Sequence, residues 1–135
     1  MEMELIYRIL GENDRHILAS QISHLRDICK EIQGFIAADR LDHLLFESYV
    51  PGRLRGIPQI LQEIYQRFGT SVRRNRIEDE NVKKFEQNFR RFVALVDDLQ
   101  KGMDKFGRNS ADLITYTNAL EAFFQRGEFY VEDVQ

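Results

Sequence analysis

Apolar positions recur along this chain at intervals of three and four residues, the period of a helix buried along one stripe. The longest run is Val82, Phe85, Phe89, Phe92, Val96, Leu99, Met103 and Phe106, with no polar exception. It predicts a helix of about 28 residues and roughly 42 Å, capped by Asp79 or a neighbour and ended by Gly107. Val93 and Leu95 widen the stripe at its middle, which points to contact with more than one neighbouring helix.

The same reading extends in both directions. Met3, Ile6, Tyr7 and Leu10 predict a short N-terminal helix closed by Gly11. Asn13 or Asp14 is then expected to cap a long helix over residues 14–49, with Leu18, Ile22, Leu25, Cys29, Ile32 and Ile36 as its seam. The next seam positions are Asp39 and His43, while apolar character moves to Leu41, Leu44 and Leu45, so the seam changes phase near Ala38. Val50-Pro51-Gly52-Arg53 reads as a loop. Pro58 suits the first turn of a helix bearing Ile60, Leu61, Ile64, Tyr65 and Phe68; Gly69 is expected to close it, although Val72 could extend it, leaving residues 69–79 as an arginine-rich connection. Ser110 caps a last helix with Leu113, Tyr116, Leu120, Phe123 and Phe124 on its face, stopping at Gly127, and residues 128–135 form a short tail.

These elements predict an all-α fold, one domain over residues 1–135. It is an antiparallel bundle of about four main helices, two of them long, with a short helix at the N-terminus. The stripe from Val82 to Phe106 is longer than the neighbouring helices, so part of it is expected to serve as core and part to meet a second chain in a homodimer.

Composition supports a folded domain. Of 135 residues 43% are hydrophobic and 30% charged, and the formal net charge is only −3, which argues against disorder. A single cysteine excludes an internal disulfide and a CxxC zinc site and suits a reducing setting. The first residues are acidic and lack the apolar run of an export signal, and no apolar stretch approaches the roughly 20 residues of a membrane span. A soluble cytoplasmic protein is the expectation.

Candidate chemistry is sparse. No GxxxxGK[ST], HExxH, GxSxG or GxGxxG element occurs, so no catalytic, cofactor-binding or metal-ligating residue is assigned, and an enzyme is not expected. Asp39, His43 and Glu47 share one side of a helix, which leaves a small metal-binding or enzymatic bundle as an alternative. Without a Glu-x-x-His element or matching acids elsewhere, the trio reads as a solvated patch. His16, His24 and His43 fall on different faces, and Cys29 lies in an apolar seam as an inert small hydrophobe.

Charge is distributed more tellingly. Residues 53–76 carry six basic side chains and one acidic, between two flanks that are each net acidic. Arg53, Arg55, Arg73, Arg74, Arg76, Arg90 and Arg91, with Lys83 and Lys84, make a candidate basic surface for an acidic partner. A nucleic-acid-associated protein using this 53–91 region is a further alternative. It is disfavoured by a pI near 5.6 and by Glu78, Asp79 and Glu80 beside the arginines. The helix with the long stripe is basic toward its N-terminal half and acidic at Asp97, Asp98 and Asp104, so an antiparallel copy would set opposite charges together. The favoured reading is a non-enzymatic helical protein–protein interaction module, such as an adaptor, regulator or chaperone-like protein.

Overall fold

The computed structural model describes residues 2–37, 52–106 and 110–126, with side chains over residues 4–37, 52–101 and 114–123. Five α-helices are described in full, in order: α1 (Glu2–Leu10), α2 (Glu12–Ala37), α3 (Ile57–Arg74), α4 (Glu80–Phe106) and α5 (Ser110–Arg126). The chain is all-α, a helical bundle in which α4 packs on α3 and α5, α2 packs on α5 and α3, and α1 lies against α2, α3 and α4. Neighbours run antiparallel. Asp14 early in α2 meets Arg67 late in α3, and Phe68 late in α3 meets Phe85 early in α4.

The stripe read in the sequence forms the centre of this bundle. Val82, Phe89, Phe92, Val96 and Leu99 are wholly buried and Phe85 nearly so, all within one chain, while the side chains of Met103 and Phe106 lie outside the described residues. Phe85 and Phe89 face α3, where they stack with Phe68, and Phe89 also meets the Tyr65 ring edge-on at 5.5 Å. Phe92 turns toward α5 and meets Phe123 at 5.9 Å. Alternating partners along one stripe explain its width at Val93, itself buried. Over the described length the stripe is therefore core.

Helix ends show where sequence signals and packing disagree. Asp79 caps α4, its Oδ1 accepting the backbone N–H of Asn81 at 2.8 Å and of Val82 at 3.3 Å. Gly11, at φ 84°, separates α1 from α2. Neither Asn13 nor Asp14 caps α2, however, because the helix already begins at Glu12 and Asp14 is engaged by Arg67. Residues 52–54 are helical rather than loop, and the turn falls at Arg55 and Gly56.

The largest correction concerns α3, which runs through Gly69 to Arg74. Burial of Val72 outweighs the cost of about 1 kcal/mol for a glycine inside a helix. The glycine also makes room: a Cβ there would lie 3.2 Å from the Arg73 Nη1 and 3.6 Å from the Glu86 Oε1. The helix ends instead in paired reverse hydrogen bonds, Ile77 N–H to Val72 C=O at 3.0 Å and Arg76 N–H to Arg73 C=O at 3.2 Å. Half-buried Ile77 joins the core beside Val72, the apolar contact that such an ending favours. Residues 69–79 are thus mostly helix, and the connection is a tight turn. The phase shift at Asp39 to His43 and the tail 128–135 lie outside the described residues.

Candidate interaction surface

Apolar side chains fill the interior, and the only buried polar residue among those described is Thr117, whose hydroxyl donates to the Ile114 carbonyl at 3.2 Å. Cys29 is wholly buried between α2 and α5; burial, and secondarily the charge of Glu121, pushes its thiol up to about 12. No group of His, Cys, Asp and Glu among the described residues is arranged to hold a metal ion, and His16 and His24 sit apart along α2. Asp39, His43 and Glu47 lie outside the described residues. Chemistry that the described part offers to a partner is therefore on its surface.

Packing divides the basic block. Arg53 pairs with Glu31 near the start of α3, and exposed Arg55 lies beside it. Arg73 and Arg74 occupy the last turn of α3, about 27 Å away along an 18-residue helix. They share that pole of the bundle with Arg76 in the turn and with Lys83 and Lys84 on the first turns of α4, all exposed. Arg67, within the same block of sequence, is committed to Asp14 in two hydrogen bonds. Linear proximity thus overstated the surface: Arg53 and Arg55 belong to one end and Arg73, Arg74 and Arg76 to the other.

The turn at the basic pole has an unusual backbone. Arg76 sits at φ 50°, the left-handed region, and is the only residue other than glycine to do so among those described. This is the position after a helix where glycine or asparagine is ordinarily found, and a side chain with a Cβ there costs roughly 1–2 kcal/mol. Cations in the last turn of α3 and acids at the start of α4 both suit the helix dipoles.

Arg90 and Arg91 lie lower on the outer face of α4, where two grooves flank the helix. One, of about 550 Å³ between α3 and α4, is lined by Pro58, Gln62, Tyr65, Arg90, Val93 and Asp97 among others. The second, of about 450 Å³ between α4 and α5, is lined by Arg91, Leu95, Asp98, Ala119, Ala122 and Phe123 and shares Ala94 with the first. The Arg91 guanidinium lies over the Phe123 ring, 5.3 Å from its centre. Asp97 accepts from Lys101 at 2.8 Å, whereas Arg90 and Asp98 have no ion-pair partner among the described residues.

Sequence patterning missed the groove walls on α3 and α5 and the small exposed Ala94 between them. A second stripe of exposed positions three and four apart, Gln87, Arg90, Arg91, Ala94, Asp98 and Lys101, was the available signal. No helix among the described residues is long and apolar enough to cross a membrane. No known protein family, curated protein or solved structure matches the chain.

Proposed function

We propose that this chain is a non-enzymatic α-helical interaction module that docks an acidic protein surface at the pole formed by Arg73, Arg74, Arg76, Lys83 and Lys84. The observation that carries the reading is Arg76, a cation held where the backbone favours glycine. Strain of that kind persists where the side chain serves a purpose other than stability. Arginine suits the role because its fork donates to both oxygens of a carboxylate at once. Glu78, Asp79 and Glu80 in the same turn favour a partner of mixed charge, such as a protein surface, over the uniform field of a phosphate backbone. The reading assigns the chain to the cytosol, where a lone buried thiol stays reduced.

The test is binding of the full chain and of an Arg73→Glu, Arg74→Glu double variant to two labelled probes, a polyglutamate peptide and a short DNA duplex. Proteins retained from source-cell extract are compared in parallel. Peptide binding and a set of retained proteins lost together in the variant are expected. Tighter binding to the duplex, with affinity falling steeply as salt rises, replaces the reading with the nucleic-acid one. Identical retention by both chains refutes any role for this pole.

A further inference from the structure

We infer that the outer face of α4 is the docking surface for a second copy of this chain, antiparallel to the first about a two-fold axis at Ala94. This inference concerns the middle of α4 rather than the basic pole at its start and does not depend on it.

Each groove beside α4 carries its own complement. The groove on the α3 side contains Arg90 and Asp97, and the groove on the α5 side contains Arg91 and Asp98. Ala94 lies between the arginines and the aspartates, exposed and small enough to let two helices approach to about 8 Å between axes. At about 100° per residue, Arg90 and Asp97 fall on one flank of Ala94, and Arg91 and Asp98 on the other. A two-fold operation through Ala94 reverses α4 and keeps each flank on its own side. Arg90 of one chain then arrives beside Asp97 of the copy, and Arg91 beside Asp98, each pair occurring twice.

The next layer supports the register. Gln87 and Lys101 meet there, an uncharged amide beside an ammonium, so that layer sets no like charges beside the four ion pairs. Parallel packing would instead stack arginine on arginine and aspartate on aspartate. The grooves add Tyr65 and Gln62 from α3 and Ala119 and Ala122 from α5 to the contact, so the surface is broader than one helix. The large apolar side chain most exposed among the described residues is Ile114, which lines neither groove, so polar complementarity rather than a hydrophobic patch selects the partner. Asp97 keeps Lys101 and Arg91 keeps Phe123 within reach, so both are already oriented in the single chain.

The experiment measures mass in solution by sedimentation equilibrium of the full chain from micromolar to millimolar concentration, with helicity checked by circular dichroism. The wild type should reach twice the chain mass. Arg91→Asp and Asp98→Arg, both at exposed positions, should each weaken association by about tenfold or more, since each puts like charges together twice. Combining the two substitutions in one chain should restore the dimer, and so should mixing the two single variants, because either arrangement pairs opposite charges again. Ala94→Cys should cross-link chain to chain on mild oxidation while Cys29 stays unreacted. A wild type that remains a monomer throughout overturns the inference and leaves the face to a different partner. Single variants that dimerise like the wild type, or a double variant that stays apart, overturn the register. Loss of the basic-pole interaction in Arg73→Glu, Arg74→Glu leaves the dimer intact, so the two proposals fail separately.

Discussion

The Arg67 guanidinium grips the Asp14 carboxylate through two near-parallel hydrogen bonds, Nε to Oδ2 at 3.0 Å and Nη2 to Oδ1 at 2.8 Å. The pair ties the first turn of α2 to α3 across 53 residues of chain, and the carboxylate holds the guanidinium above its ordinary range. Asp14 is mostly covered, but Arg67 is half exposed, which limits what the contact contributes. Arg67→Ala and Asp14→Ala should each lower stability by about 1 kcal/mol, and a double-mutant cycle in urea should recover most of that as coupling. Arg67→Lys keeps the charge, loses the fork and should behave more like the alanine variant than the wild type.

Arg76→Gly should raise stability by roughly 0.5–1 kcal/mol, since glycine adopts the left-handed conformation without strain. The same substitution should weaken binding of the polyglutamate probe. A change that stabilises the fold and impairs the surface separates the two roles of one residue, and thermal unfolding beside a binding titration reads both.

Phe89 touches Tyr65, Phe68 and Phe85 and is wholly buried. Phe89→Ala should cost about 3–5 kcal/mol in urea unfolding. Phe89→Glu should abolish the folded state outright, because an unpaired carboxylate would replace the ring. Arg90→Glu, one position along and exposed, should leave monomer stability within about 0.5 kcal/mol.

Cys29 couples the core to alkaline pH. Its thiol ionises near 9.0 when exposed and at about 12 in the fold, so the native state favours the protonated form. The resulting stability is complete below about pH 9 and is lost as pH rises toward 12. Cys29→Ala should flatten that part of the pH–stability profile relative to wild type. At neutral pH a thiol reagent should label native Cys29 only at the rate of unfolding.

Long, uninterrupted periodicity was the most legible feature of the sequence. The stripe from Val82 to Leu99 needs a helix to be one-sided, and Asp79 and Pro58 mark helix starts by local chemistry that packing left undisturbed. Punctuation by glycine was less dependable. At Gly69 the signal for an ending was overruled by Val72 and Ile77, whose burial lies beyond it, and at Asp14 a capping side chain was taken by a distant arginine. Surface organisation was the least legible, because α3 carries Arg55 and Arg73 to opposite ends although both belong to one basic run. The opposed charges along α4 were visible, but Ala94 as their midpoint emerged only once Arg90 and Asp97 were seen in one groove and Arg91 and Asp98 in the other.

The place of Lys83 on α4, eleven positions before Ala94, gives the pairing a consequence for valency. Two chains joined about Ala94 point their basic poles in opposite directions, about 33 Å apart along the shared helix axis. Such a pair is a rigid bivalent clamp. A target presenting two acidic sites at that span would be held by both poles at once, with the second contact made at the effective concentration set by the first. Avidity would then vanish on dilution below the dimer's dissociation constant, so the amount of this chain in the cell would itself tune how firmly it holds its target.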